Sequence, residues 1–263
     1  WGHDLYHLFY YFTIYSFIGW CMETVYVSIS QRKLINRGFL AGPFCPIYGF
    51  GVIIIITVLK PFEDNLALLF AGSLVLTSAL EYFTAFILEK AFKSTWWDYS
   101  DKPFNIHGRI CLANSTLWAV LSLIIVKIIQ PHTSRLVEQI PYKSGMLMLY
   151  IILAYFMIDL VFSVISVVGL NIRLKKLYLL SMELQTKLEY LKSATKGKFS
   201  ELEGILQDLK SKYNNLLGMN MLSQIRILRA FPKLRSLKFN SVLDDIKENI
   251  KKYLWEDPKF LKY

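Results

Sequence analysis

Five long apolar runs decide what this chain is able to become: approximately Leu5–Ile29, Phe44–Leu59, Leu66–Phe92, Ile110–Gln130 and Gly145–Leu170. A helix needs about 20 apolar residues to cross the ~30 Å of hydrocarbon in a bilayer. In that medium helices and closed barrels are the two structures that satisfy every backbone polar group. The expected fold class is therefore all-α, a polytopic membrane helix bundle of about five spans in a lipid bilayer, with a C-terminal cytoplasmic helical tail. The second run is short and glycine-rich, so a re-entrant hairpin that fails to cross stays open there. With 54% hydrophobic and 19% charged residues, the composition excludes an ordinary soluble domain.

The net charge of +10 is concentrated at the end of the chain. Up to Leu170 there are 11 Lys and Arg against 10 Asp and Glu, and after it 19 against 10. Residues 1–171 read as a transmembrane helical domain and residues 172–263 as a basic, amphipathic and coiled-coil tail. Positive charge also gathers in alternate connections: Arg32, Lys33 and Arg37, then Lys90, Lys93, Lys102 and Arg109, then Arg173, Lys175 and Lys176. Cytoplasmic loops collect such charge, which places the N-terminus outside and the tail inside a multi-pass protein of the cell membrane. Cys21, Cys45 and Cys111 sit in apolar settings and read as free thiols, too few for a disulfide framework. The opening run lacks a basic n-region and a small-residue cleavage site, so it is expected to serve as its own targeting signal.

Ionisable residues inside apolar runs are costly and are expected to face a polar interior with a partner. Glu81 lies near the middle of the third run. Asp159 lies near the centre of the fifth, facing the bundle, where it is placed to hold a proton. In the first run Tyr15, Gly19 and Glu23 are four apart and share a helix face. Either that face packs through its glycine while Glu23 snorkels, or Glu23 joins Glu81 around a common cavity. His3 and His7 flank Asp4, but without a third ligand they read as a solvated helix end, and no metal is expected. From Gln31 to Gly51 two prolines and four glycines bend the backbone, either for close helix packing or to line a ligand with Arg37 supplying charge. The pattern is neither a Walker loop nor a dinucleotide fingerprint.

Between the third and fourth runs, Asp98, Asp101, His107 and Arg109 fall within a dozen residues, framed by Trp96, Trp97 and Tyr99. A carboxylate there could tune His107 for proton transfer, and Arg109 could hold a phosphate or carboxylate bidentately. The alternative is an interfacial loop whose aromatics anchor the helix ends while Asp98 pairs with Arg109. Asn114, Ser115 and Trp118 suit interhelical hydrogen bonding.

The set Gly19-Trp20-Cys21-Met22-Glu23, Asn36-Arg37-Gly38-Phe39-Leu40, Gly42-Pro43-Phe44-Cys45-Pro46-Ile47-Tyr48-Gly49, Trp97-Asp98-Tyr99-Ser100 and Asn105-Ile106-His107-Gly108-Arg109 resembles the CmpB-like family of small polytopic membrane proteins, labelled type IV ABC-transporter components. The resemblance covers roughly Leu5 to Leu170 and leaves out the tail. It implies that Glu23, Arg37, Glu81, Asp98, Asn105 and Arg109 occupy the family's polar motif positions, with roles unassigned. This chain carries no nucleotide-binding signature, so an ATP-driven role would need a separate ATPase subunit as partner.

In the tail, Leu177, Leu180, Leu184, Leu188 and Leu191 form one apolar stripe. After Gly197, Phe199, Leu202, Leu206, Leu209, Tyr213 and Leu216 form another, in the 3–4 spacing of a coiled-coil seam. The two could fold as an antiparallel hairpin or pair with a partner or a second copy. From Met219 to Asn240 the chain is basic and amphipathic, suited to an anionic leaflet, and it holds no nucleic-acid reading motif. Ile246 to Tyr263 reads as a further short amphipathic helix, then Pro258. Three functions follow: a permease component with a polar intramembrane cavity lined by Glu23, Glu81 and Asp159 and guarded by Arg37 and Arg109; a membrane-embedded enzyme acting on a lipid or phosphate-bearing amphiphile through Asp98 or His107; or an anchor that assembles a complex through its tail. No catalytic residue and no cofactor is assignable.

Overall fold

The computed structural model describes residues 4–193, 199–218 and 222–256. Its main helices are α1 (Leu5–Gln31), α2 (Pro46–Val58), α3 (Leu66–Phe92), α4 (Leu112–Ile124), α5 (Gln130–Glu138), α6 (Tyr142–Ser193), α7 (Phe199–Gly218), α8 (Leu222–Ala230) and α9 (Asn240–Glu256). The fold is all-α apart from two-residue strands. His3, the 194–198 joint, the first residues of the basic run and the Pro258 end fall outside the described residues.

Five helical stretches answer the five apolar runs, but the count of spans is three rather than the expected five. Among the described residues Leu66–Phe92, the continuous Leu112–Glu138 and Tyr142–Tyr190 are long and apolar enough to cross a membrane. α2 has 13 residues, ~20 Å at 1.5 Å per residue, short of the hydrocarbon thickness. α1 has 27 residues and sufficient length. It carries a load of hydroxyls, however, and turns them inward: Tyr11 donates to Ser134 Oγ (3.1 Å), Tyr15 to Gln130 Oε1 (2.7 Å) and Tyr10 to the Gly145 carbonyl (3.0 Å). α3 starts where Asn65 accepts from the Ala67 and Leu68 amides, which satisfies two of the donors left open by a helix start. The fourth run passes from α4 to α5 through a π turn, Ile125–Ile129. Pro131 explains it, because a proline inside a helix lacks an N–H and its ring clashes with the carbonyl four residues back.

α1 and α2 approach closely at two glycines. A methyl on Gly19 would fall inside the Tyr48 ring, and one on Gly49 would meet Ser16 and the Phe12 carbonyl. Around this contact Tyr11, Tyr15, Val52, Ile55, Ile56 and Leu69 form one core. α6 is 52 residues long, ~78 Å by the helical rise, and runs unbroken across position 171. Its membrane half exposes Leu147, Ile151, Ile158 and Ile165, as a lipid-facing helix does. Its distal half packs against α7, and Arg173 donates to the last carbonyls of α7, Leu216 and Leu217. The two leucine stripes meet in part within the chain: Leu177 and Leu209 are buried and Tyr213 and Leu216 pack on the same core as Leu177, while Leu188 stays exposed.

A second core forms where the tail returns. Ile227, Leu228, Phe231 and Leu234 pack on Trp96, Val167, Leu170 and Leu174. Strand β1 (Ser94–Thr95) pairs antiparallel with β2 (Arg235–Ser236). The basic segment expected on a leaflet surface buries its apolar side against α6 and the 93–111 loop instead, because those elements offer it a matching apolar face. The 32–45 loop, the 93–111 loop and the returning tail thus meet at one end of the bundle.

Candidate functional site

The polar residues of the motif stretches fall into three neighbourhoods. The first lies between α1, α2 and α3. Tyr48 donates to Glu23 Oε1 at 2.6 Å, and Arg37 Nε stands 3.4 Å from Glu23 Oε2. Tyr99, from the 93–111 loop, donates to Glu81 Oε1 at 3.2 Å. Glu81 is 8% exposed, and its Oε2 is buried with no hydrogen-bond partner. The Glu23 charge reaches Glu81, and Tyr99 feels both. Burial and then the Glu81 charge hold the Tyr99 phenol well above its ordinary value. Trp118 packs edge-on against Tyr48, ring centres 5.4 Å apart. On this face of α1 Gly19 admits the Tyr48 ring, and Tyr48 holds Glu23.

The second neighbourhood grips the 36–43 bend. Asp159 accepts from the amides of Ala41 and Gly42, both at 2.8 Å, and from Ser163 Oγ. Arg226 of α8 donates to the carbonyls of Gly38, Phe39 and Leu40. Burial pulls its guanidinium below the ordinary value, with Asp159 working against that. Asn36 accepts from Trp20 Nε1 and donates to the Ala41 carbonyl, each at 2.6 Å, and Arg37 donates to the Ala230 carbonyl. Asp159 thus serves the loop and does not join Glu23 and Glu81 in one cavity.

The third is a cleft of about 500 Å³ between the 93–111 loop and the tail, lined among others by Glu89, Asp98, His107, Arg109 and Arg235. Arg109 pairs with Glu89 (2.5 Å), not with Asp98, and donates to Tyr82 Oη (2.9 Å). Asp98 accepts from the Ser100 amide and hydroxyl and faces Arg235 at 3.4 Å. The Ser100 hydrogen bonds, with help from Arg235, hold its carboxyl below the usual carboxylate range. His107 Nδ1 lies 3.1 Å from Tyr82 Oη. Asn105 shapes the loop, donating to the Ser100 and Lys102 carbonyls and accepting from the Gly108 amide. His107 and Phe104 hold positive φ and Gly108 completes the turn, a backbone that side chains rarely adopt.

The family model described as "Putative ABC-transporter type IV" (ABC_trans_CmpB) matches residues 10–164. The chain belongs to this family. The match spans the α1–α6 bundle that holds all eight candidate residues and stops short of the tail. No curated protein and no solved structure matches the chain. This CmpB-family chain is a membrane protein by its apolar helices and its family. Several residues of its three neighbourhoods carry no local sequence signal. Arg226 looks like Arg229 or Lys233 in a basic run, and Tyr48 looks like any aromatic beside a glycine. Glu89 reads as an ordinary helix-end charge.

Proposed function

We propose that the chain is the membrane-spanning component of an ABC-type transport system, with the Glu23–Tyr48–Glu81–Tyr99 pocket as its polar centre. In this arrangement the 93–111 loop and the tail face the cytoplasm, α1 and α2 pack beside the three spans, and a separate ATPase subunit supplies the drive. The observation that supports it is Glu81: a carboxyl buried among apolar helices, with one oxygen bonded by Tyr99 and the other left open. A carboxylate serving packing alone is expected to be fully hydrogen-bonded. Flux of cationic, anionic and neutral solutes into liposomes carrying the protein and its copurifying ATPase tests the reading. ATP-dependent flux of at least one class is expected, and it should be lost in Glu81→Ala. Wild-type protein that moves none of them overturns the transport role, and undiminished flux in Glu81→Ala overturns the assignment of the pocket. Orientation is read by labelling Leu34→Cys and Phe104→Cys, both at exposed positions, from inside but not outside the cell.

The cleft supports a second reading, an interfacial enzyme acting on a phosphate-bearing amphiphile. Arg109 is committed to Glu89 and Tyr82, so Arg235, 66% exposed along its side chain and 3.4 Å from Asp98, is the cleft cation to meet a phosphate, with His107 as acid and base. Phospholipid turnover lost in His107→Ala and kept in Glu81→Ala would move the function there.

A further inference from the structure

The pocket also indicates what kind of species it takes, an inference that rests on the transport reading above. Its titratable and charged groups come from five places: Glu23 on α1, Arg37 and Cys45 in the following loop, Tyr48 on α2, Glu81 on α3 and Tyr99 in the 93–111 loop; Cys45 is a buried neutral thiol whose Sγ donates to the Arg37 carbonyl. Both oxygens of Glu23 are engaged, Oε1 by the Tyr48 hydroxyl and Oε2 by the Arg37 guanidinium. Glu81 receives one hydrogen bond, on Oε1, and ion-pairs with none of the described cations. The other guanidiniums placed near this end are engaged elsewhere: Arg109 on Glu89 and Tyr82, Arg226 on the 38–40 carbonyls and Arg235 on Asp98. With both carboxylates ionised the group carries two negative charges against one positive, a net −1 in apolar surroundings. Such a charge is disfavoured unless something neutralises it, and the open Oε2 is the atom at which that can happen. Asp98 and Ser100, the chain neighbours of Tyr99, line the cleft described above.

We propose that Glu81 is an exchangeable proton-binding site of the transport cycle. A proton from water adds to Oε2, converting the carboxylate to a carboxylic acid whose Oε1 still accepts from Tyr99. The loaded pocket is neutral, and on release the proton returns to water and the carboxylate is restored. Glu23, pinned by Tyr48 and Arg37, keeps its charge throughout and acts as a positioning group.

The test is modification by dicyclohexylcarbodiimide, which attacks protonated carboxyls in apolar sites, on the full chain in lipid vesicles over a pH series, read by peptide mass spectrometry. Glu81 should be modified, and the modification should fall as pH rises; Glu81→Gln should lose it and Glu81→Asp should keep it. Tyr99→Phe removes a donor to the carboxylate and should shift the profile to higher pH. Infrared difference spectra between low and high pH should show a protonated carboxyl band that Glu81→Gln lacks, a readout independent of the reagent's access. An unmodified Glu81 without that band at any pH overturns the proposal. Protection by sodium or potassium at fixed pH also overturns it, in favour of an alkali cation. Modification without any solute flux leaves the proton site standing and removes the transport reading. ATP-driven flux that survives Glu81→Gln, with Glu81 unmodified, does the reverse.

Discussion

The Glu81 cluster and the grip on the 36–43 bend use the same materials, carboxylates and arginines, to opposite ends. At the bend both oxygens of Asp159 are occupied by backbone amides, and Arg226 donates to three consecutive carbonyls. There the charges replace the hydrogen bonds that an irregular backbone would otherwise lack inside a membrane protein, where stranded polar groups are costly. At Glu81 one carboxylate oxygen is left without a donor. Among the carboxylates, the one at the second place keeps an oxygen free to take a proton and the one at the first does not, although Arg226 Nε is also without a partner. Burial of an acidic residue therefore does not mark function until its partners are counted.

The largest effect that would break this contrast is expected from Asp159→Ala. It strands two buried amides at roughly 1–3 kcal/mol each, so the loss of stability should be about 2–5 kcal/mol in a denaturant titration of the reconstituted protein. Arg226→Met should cost about 2–4 kcal/mol, since three carbonyls lose a charged donor. A double-mutant cycle with Asp159→Ala should show coupling, because the two grip one loop. A result near zero for either would mean that the bend holds its shape unaided. Gly19→Ala comes next: its methyl would displace the Tyr48 ring, at about 1–3 kcal/mol for overpacking, and should disturb the pocket together with stability. Glu81→Gln should change stability by less than about 1 kcal/mol, since it removes a carboxyl with only one protein hydrogen bond. A loss as large as that of Asp159→Ala would erase the distinction between the two sites.

The smallest effect concerns the cleft. Asp98 is held below its usual range chiefly by Ser100, so its stabilising contribution is present above the unfolded value of about 4 and fades as pH falls through the lower folded value. Between about pH 5 and about pH 3 the contact between the 93–111 loop and the tail should loosen, seen as faster pepsin cleavage near Lys233. Asp98→Asn should remove that pH dependence.

Much of this was legible beforehand. Hydrophobic run length located the helices, because hydrocarbon demands internally bonded backbone whatever the neighbours. Glu81, buried in mid-run, announced a polar interior. The inward hydroxyls of α1 make it less apolar than a span, and nothing local in the sequence shows that they turn inward. Proximity in the chain pairs Asp98 with Arg109, but Glu89, at the end of α3, lies nearer in space. Asp159 reads in the sequence as a cavity residue placed to hold a proton, and its actual partners escape that reading because they are main-chain amides, which every residue has.

Sequence was enough for what depends on solvent alone: which stretches leave water, and where a charge is out of place. Folding in three dimensions settled which oxygen of which acid has a donor, that α8 comes back to hold a loop some 190 residues earlier, and that the leucine stripes meet each other. Those outcomes depend on contacts between residues far apart in the chain. Local pattern carries no record of them, since a carboxylate or a guanidinium binds whichever complementary group the packed helices bring within about 3 Å.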